Sequence, residues 1–427
     1  MERWEIAEAK MESIWTEGIE IRKHEPLPGD MEAPVVVIGA GLAGILTAYY
    51  LKQEGIRAVV LEADRIGSGQ TKNTTAKITS QHNQVYSWLI RAFGHQMAEH
   101  YASANEAAIA EYERLVQNKG IDCGFCRCPA YLYSQIETEF LKREAEAAKS
   151  LGIEASFGTE CELPFPVAGV TRFEHQAKFH PLKFLAGMAE EVEVYEQTKV
   201  LKVDGRRVET ASGTVTAEHI VFAAHYPFIN VPGYYFARMH QERSYVVALE
   251  GAVRPEGMYL GIDQGGLSFR TCGNLLLLGG GGHRTGVNQG NKAGTGCIYE
   301  MLRNRSREIY PECHEVSQWS AQDCMTLDGL PYIGRFSKRR PNWYVATGFG
   351  KWGMTTAMVA ARILTTLISG RDCPEADIFS PSRHVTVQAM KGLLVHGAYT
   401  VKGLTKHLLP MGKGRIVPNC PHMGCRL

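Results

Sequence analysis

The sequence predicts an α/β chain in which a domain built on a parallel sheet is interleaved with an α+β domain built on an antiparallel sheet. Three observations predict it. Val35-Val-Val-Ile38 is followed by a glycine turn, by helical spacing over residues 42–54 that Gly55 stops, and by a second β-branched run at Ile56–Leu61; this is a βαβ unit. Residues 244–282 read instead as successive antiparallel strands, SYVVALEG, GLSFR and NLLLLGG. The 427 residues also exceed what one compact domain needs.

Taken in order, residues 1–30 form a polar lead-in closed by the turn Pro26-Leu-Pro-Gly-Asp30. After the βαβ unit, residues 85–118 carry long helical patterns, and Ser134–Ser150 fits another helix. Thr198–Val203, Thr214–Ala217 and His219–Ala224 read as short strands. Trp343–Thr347 is a strand followed by a Gly-rich turn and a helix over about 355–369. Residues 383–427 have little core of their own.

Composition narrows the function classes. Apolar residues are 44% and charged residues 21% of the chain, with 46 Lys+Arg against 45 Asp+Glu. That balance predicts neither nucleic acid nor an anionic membrane as partner. No apolar run spans a bilayer, and MERWEIAEAKMESIWTEG lacks the apolar centre of a signal peptide, so a cytoplasmic home is expected. The 11 cysteines, an odd number scattered along the chain, read as free thiols.

The first strand–turn–helix carries chemistry. In VVVIGAGLAGILTAYYLKQEGIRAVVLEAD, Gly39 permits a tight turn, Gly41 lets backbone approach a pyrophosphate, and Gly44 lets helix and strand pack closely. The N–H groups of Leu42 and Ala43 open a helix whose N-terminus favours phosphate. Glu62, beside Ala63 at the end of the second strand, can accept from ribose hydroxyls and argues against a 2′-phosphate. The unit predicts a bound dinucleotide, FAD or NAD.

Four blocks over about residues 12–382 resemble the D-amino-acid oxidase / glycine oxidase superfamily. They are similar in particular to its subgroup of FAD-dependent oxidoreductases with a C-terminal Rieske module. The blocks are the glycine unit, GSGQTKNTTAKITSQHNQVY at 67–86, TKVLKVDGRRVETASGTVTAEHIVFAAHYP at 198–227, and WSAQDCMTLDGLPYIGR with VATGFGKWGMTTAMVAARIL within 319–364. The resemblance implies a Rossmann-like FAD-binding domain of GR2 type from residues 31–88, 165–232 and 322–382. It implies a substrate domain from 89–164 and 233–321, and a tail over 383–427. It implies noncovalent FAD held by Gln70, Thr71, Thr75, Ala76 and Lys77 after the ribose strand, by Val200 and Ala223, and by the loop Gly348, Gly350, Lys351, Trp352, Gly353, Met354 and Thr355. Lys351 is the candidate cation for the flavin's pyrimidine end, where charge gathers on reduction.

The implied activity is oxidation of an amine or amino-acid-like CH–NH substrate by hydride transfer to flavin, with oxygen or an electron-acceptor protein as oxidant. In the family's amino-acid oxidases an Arg after the Trp-bearing strand grips the substrate carboxylate. Asp323 stands there in this sequence, which favours an amine without a carboxylate at that position, or a cationic one. Arg270 and Tyr245 are further catalytic candidates with Lys351. Arg270 otherwise reads as a sheet-surface residue, Tyr245 as a packing ring, His82 as a structural histidine, and Cys324 is off the spacing for covalent flavin. The alternative function is an NAD(P)H-linked flavoprotein reductase, or an electron-transfer flavoprotein once coupled to a Rieske cluster. For the former the Gly279–Gly282 run would have to be a second nucleotide loop, but it reads better as a strand turn.

Cys420-x-His422 matches the first half of a Rieske motif, which needs two Cys and two His. The second half does not follow, so no [2Fe-2S] cluster is expected here; a longer native chain could complete it. Cys123-x-x-Cys126-x-Cys128 reads as loose structural cysteines, and no metal site is expected.

Overall fold

The computed structural model describes residues 9–286 and 298–384. The Cys420–His422 motif lies outside them. The strands in chain order are β1 Met31–Ile38, β2 Ala58–Leu61, β3 Lys77–Ile78, β4 Cys126–Ser134, β5 Ala155–Gly158, β6 Gly169–Lys178, β7 Glu193–Tyr195, β8 Val200–Asp204 and β9 Arg207–Thr210. They continue with β10 Thr214–Phe222, β11 Met239–Glu250, β12 Met258–Gly261, β13 Ser268–Cys272, β14 Leu275–Arg284, β15 His314–Thr326, β16 Tyr332–Ser337 and β17 Arg340–Thr347. The helices are α1 Leu42–Gln53, α2 Tyr86–Phe93, α3 His95–Lys119, α4 Glu139–Ser150, α5 Pro181–Ala189, α6 Tyr235–Arg238, α7 Ile298–Ile309, α8 Gly353–Ile368 and α9 Ala376–Phe379.

Strand β1 has Val35–Ile38 buried without a break, the burial of a strand covered on both faces. It pairs in parallel with β2 on one side and β10 on the other. The sheet order is β16-β17-β10-β1-β2-β7, with the β8–β9 hairpin attached to β10. Helix α1 is buried over most of its surface and packs against α8 and α5, so the glycine turn that begins α1 is held by the middle of the fold.

The second sheet runs β15-β11-β14-β13-β12-β4-β6-β3, with β5 on β6. Its pairs are antiparallel except β12 with β4, which is parallel. Alternation divides its strands between two cores. Val246, Ala248, Leu277 and Trp319 join the interior cluster, while Val247, Leu249, Leu276 and Leu278 pack with Leu302 of α7. Strand β6 belongs to this sheet, so the 165–232 stretch contributes to both sheets and not to the first alone.

Three local expectations are corrected. The helical pattern over 85–118 breaks at Gly94, whose φ of 82° ends α2 and starts α3. The helix expected from Ser134 begins at Glu139, because Ser134 completes β4. The strand read in NLLLLGG does not turn within the Gly279–Gly282 run but continues to Arg284. Among the described residues no helix is long and apolar enough to cross a membrane.

Candidate functional site

A cavity of about 960 Å³ lies where the C-terminal end of β1 meets the second sheet. Ligands of open parallel sheets bind at that end of the strands. At Gly39 φ is +108°, and an added Cβ would stand 2.8 Å from the carbonyl oxygen of Ala223. At Gly44 a Cβ would stand 1.9 Å from the carbonyl oxygen of Gly39, so helix and turn touch backbone to backbone. Gly41 caps α1 in extended conformation, and the Leu42 N–H donates to Thr71 Oγ1 at 3.2 Å. Glu62 accepts from the backbone N–H groups of Ala40 at 2.7 Å and Asp64 at 3.0 Å. Those bonds hold the carboxylate at the mouth of the turn.

Most of the residues singled out in the sequence converge on this cavity. Gly39, Gly41, Leu42, Ala43, Glu62, Ala63, Gln70, Thr71, Thr75, Lys77, Val200, Ala223, Gly348, Gly350, Lys351, Trp352, Gly353 and Met354 all line it. Gly44, Ala76 and Thr355 do not. Gly44 is spent on the helix–turn contact. Ala76 is buried at φ +53°, between Thr75 and Lys77, which both face the cavity. Thr355 lies beneath the loop, where its hydroxyl donates to the Thr79 carbonyl at 3.0 Å.

Of the other two catalytic candidates, one lies off the cavity and one lines it with its ring already engaged. Arg270 is not on the cavity wall. Its guanidinium donates to the carbonyl oxygens of Thr75 and, at 2.7 Å, Phe179, and lies over the Trp15 ring. It is therefore a buried tie between the second sheet and the loop before β3, and not a sheet-surface residue either. Tyr245 touches the cavity, yet its ring stacks on His283 at 5.7 Å and meets Tyr299 of α7 edge-on at 5.1 Å. The ring thus occupies the α7 side of the sheet.

Lys351 does line the cavity, and its Nζ lies 3.4 Å from Glu242 Oε2. Glu242 also meets His240 at 3.3 Å. The His240 hydrogen bond, aided by Lys351, holds the Glu242 carboxyl down at about 2. Asp323 lines the same wall and accepts from Ser244 Oγ at 3.2 Å. Burial pushes its carboxyl up to about 6, against the pull of Lys351. Lys77 donates to the Tyr259 carbonyl at 2.9 Å and Ser268 Oγ at 2.7 Å, and burial with the neighbouring Arg270 brings it down to about 7.

The structure adds residues that sequence reasoning passed over. Gln81 and His225 line the cavity, and each has a buried side-chain Nε2 without a partner among the described residues. Such atoms are costly unless a ligand completes them. Gly280–Gly282 of β14 line it with no side chain of their own. His82 is buried behind the wall and stacks on Trp352 at 5.0 Å. Cys324 is buried and off the cavity, one residue along β15 from Asp323. Cys123 and Cys128 are buried thiols pushed up to about 11 by desolvation, and Cys126 is exposed.

Comparison with known proteins places the site in context. The family model DAO, described as FAD dependent oxidoreductase, matches residues 34–367. The chain is 36% identical over 417 residues to YhfW of Bacillus subtilis, named as a Rieske 2Fe-2S iron-sulfur protein, covering 94% of this chain and 81% of that one. It is 24% identical over 374 residues to glycine oxidase of Pseudomonas aeruginosa, covering 80% of this chain and 96% of the relative. Among solved structures, glycine oxidase from Geobacillus kaustophilus superposes with a TM-score of 0.69 at 20% identity, covering 83% of this chain and 99% of that one.

Proposed function

The chain belongs to the DAO family of FAD-dependent oxidoreductases, and from that we propose that it binds FAD noncovalently in the cavity and oxidises the CH–NH bond of an amine or amino-acid-like substrate. The observation that carries this reading is the convergence of two distant backbone cradles on one cavity. The turn at Gly39–Gly41 presents the start of α1, and the loop Gly348–Met354 presents the start of α8.

The residues present fit the cofactor. The α1 end favours a pyrophosphate, and the anchored Glu62 carboxylate retains acceptor capacity for ribose hydroxyls. The unpartnered Gln81 and His225 nitrogens offer further polar contacts. Ligand pockets run to about 300–1,000 Å³, and this cavity of about 960 Å³ is at the large end of that range, which suits a dinucleotide with a small substrate beside it. Cys324, buried off the wall, supports noncovalent attachment.

FAD when bound supplies the acceptor for the hydride, while oxygen or an acceptor protein would take the electrons onward. On this reading the first sheet carries the cofactor and the second closes the substrate side. Lys351 holds a positive charge at the α8 end of the cavity, shared with Glu242. Glycine oxidase, the name borne by a curated and a solved relative, supports an amine-type substrate.

The test is anaerobic mixing of the flavin-loaded protein with a panel of primary and secondary amines and amino acids, without NADH or NADPH. At least one member of the panel bleaches the flavin absorbance. Bleaching by NADH alone, with every amine inert, would mean a reductase instead.

A further inference from the structure

We propose that Asp323 is the group that selects the substrate, holding a cationic nitrogen on the β15 side of the cavity. This deepens the reading of the cavity as an amine-oxidising site and rests on it.

The argument begins from alternation along β15. Ala321 and Asp323 line the cavity, while Cys324 lies buried off it. Asp323 sits directly across from Glu242 on β11. Two carboxylates at a cross-strand pair repel each other unless cations compensate them. The compensation here is one-sided. Glu242 has the cation of Lys351 at 3.4 Å, a hydrogen bond with His240 at 3.3 Å, and Arg284 as its register partner on β14. Asp323 has a hydroxyl, Ser244, and no ion pair within 4.0 Å among the described residues.

The small residues explain the asymmetry. Gly282 on β14 leaves room for Lys351, since a Cβ there would stand 2.9 Å from its Nζ. The lysine fills that space and reaches Glu242. Asp323 is thereby left as a carboxylate facing open cavity, with Ala321 too small to cover it. Burial has raised its carboxyl to about 6 despite the nearby Lys351, which is engaged with Glu242 and makes no ion pair with Asp323. A ligand ammonium would supply one, by a charge-assisted hydrogen bond.

The Lys77 amine on the same cavity is placed elsewhere. Lys77 bonds Ser268 on β13, three strands from β15 in the sheet order, or roughly 14 Å at the usual strand spacing. An anionic ligand group therefore has its own place, and Asp323 is free to discriminate by charge at one end.

The test measures binding without turnover. The shift of melting temperature with ligand concentration gives affinities for butylamine and for butyrate, matched in length and opposite in charge. Wild type, Asp323→Asn and Asp323→Glu are compared at equal flavin content. The Asn variant loses at least tenfold in butylamine affinity and no more than twofold for butyrate, and the Glu variant keeps a preference for the amine. An Asn variant that binds butylamine within twofold of wild type overturns the assignment. So does a wild type that butylamine does not stabilise. Should Asp323→Asn fail to fold, Ser244→Ala leaves the carboxylate in place without its orienting hydroxyl. That variant binds the amine at least threefold more weakly, and unchanged binding counts against the proposal. Amine binding without flavin bleaching would remove the oxidase reading and leave Asp323 standing. Bleaching that is equal in wild type and Asp323→Asn would do the reverse.

Discussion

His82 Nε2 lies 2.7 Å from the carbonyl oxygen of Thr79, which can only accept, so Nε2 carries the hydrogen. Nδ1 then accepts from the Tyr101 hydroxyl at 2.6 Å. Desolvation pushes the imidazole down to about 3, against about 6.5 in an unfolded chain. Between those values the unfolded chain binds a proton that the native one refuses, so stability is full above pH 6.5 and falls as the pH drops. We expect a loss on the order of 3 kcal/mol by pH 4 from this one group, and a shallower loss in His82→Gln, read from urea midpoints at pH 7 and pH 4. Equal slopes in the two proteins would count against it. Because the ring stacks on Trp352, we expect acid to loosen the loop at the cavity as well. A side chain's neighbours of this kind were hard to read in the sequence. Arg270 and Tyr245 were chosen for chemical type alone; the guanidinium proved to be tied to Thr75 and Phe179 off the cavity, and the ring, at the cavity, to be stacked on His283. Asp323 was legible because one short motif fixed its place relative to Trp319.

The turn from β1 into α1 separates two uses of glycine. Gly44→Ala drives a Cβ into the Gly39 carbonyl, a backbone atom that cannot swing aside. We expect a stability loss of about 1–3 kcal/mol or more, with the flavin lost as a consequence. Gly41→Ala meets Thr71 Oγ1 at 3.4 Å, which a small shift accommodates. The flavin-stripped Gly41→Ala protein should unfold within about 1 kcal/mol of wild type while retaining less than a tenth of the flavin after gel filtration. Wild-type flavin content in that variant would show that no ligand approaches this backbone. This turn was legible because its constraints are local: strand, glycine spacing and helix start fall within a few residues. The break at Gly94 needed a judgement about one residue inside a continuous helical pattern. The extent of the strand at Gly279–Gly282 was harder still: NLLLLGG announced its start, but a run of four glycines has neither side chains nor propensity to say where the strand ends. It is a strand because β11 lies beside it.

At the scale of the whole chain, Arg383 closes the fold. Its guanidinium grips Asp328 at 2.6 Å and 2.8 Å, donates to the carbonyls of Leu330 and Pro331, and lies over the Tyr332 ring. Both charged side chains are about 5% exposed or less. Arg383→Ala leaves a buried acid unpaired and should cost about 3–5 kcal/mol, while the double variant Asp328→Leu/Arg383→Met recovers most of it. Urea unfolding of the three proteins decides; no recovery in the double variant would mean that the backbone contacts of Arg383 dominate. Long-range order of this sort was legible only through family resemblance. Nothing in Met31–Ile38 itself announces that its neighbour is Thr214–Phe222, or that β6 leaves its surroundings for the second sheet. That same pairing bears on synthesis. The cradle at β1 and α1 leaves the ribosome early, but the β10 and β17 strands beside it and the loop before α8 come much later. At about 5–20 residues per second the wait from β2 to β17 is on the order of 15–60 s. Through that interval the nascent glycine turn has half a pocket and a sheet edge without its neighbour. On the reading of the cavity as a flavin site, only the finished polypeptide would offer the cofactor both of its cradles.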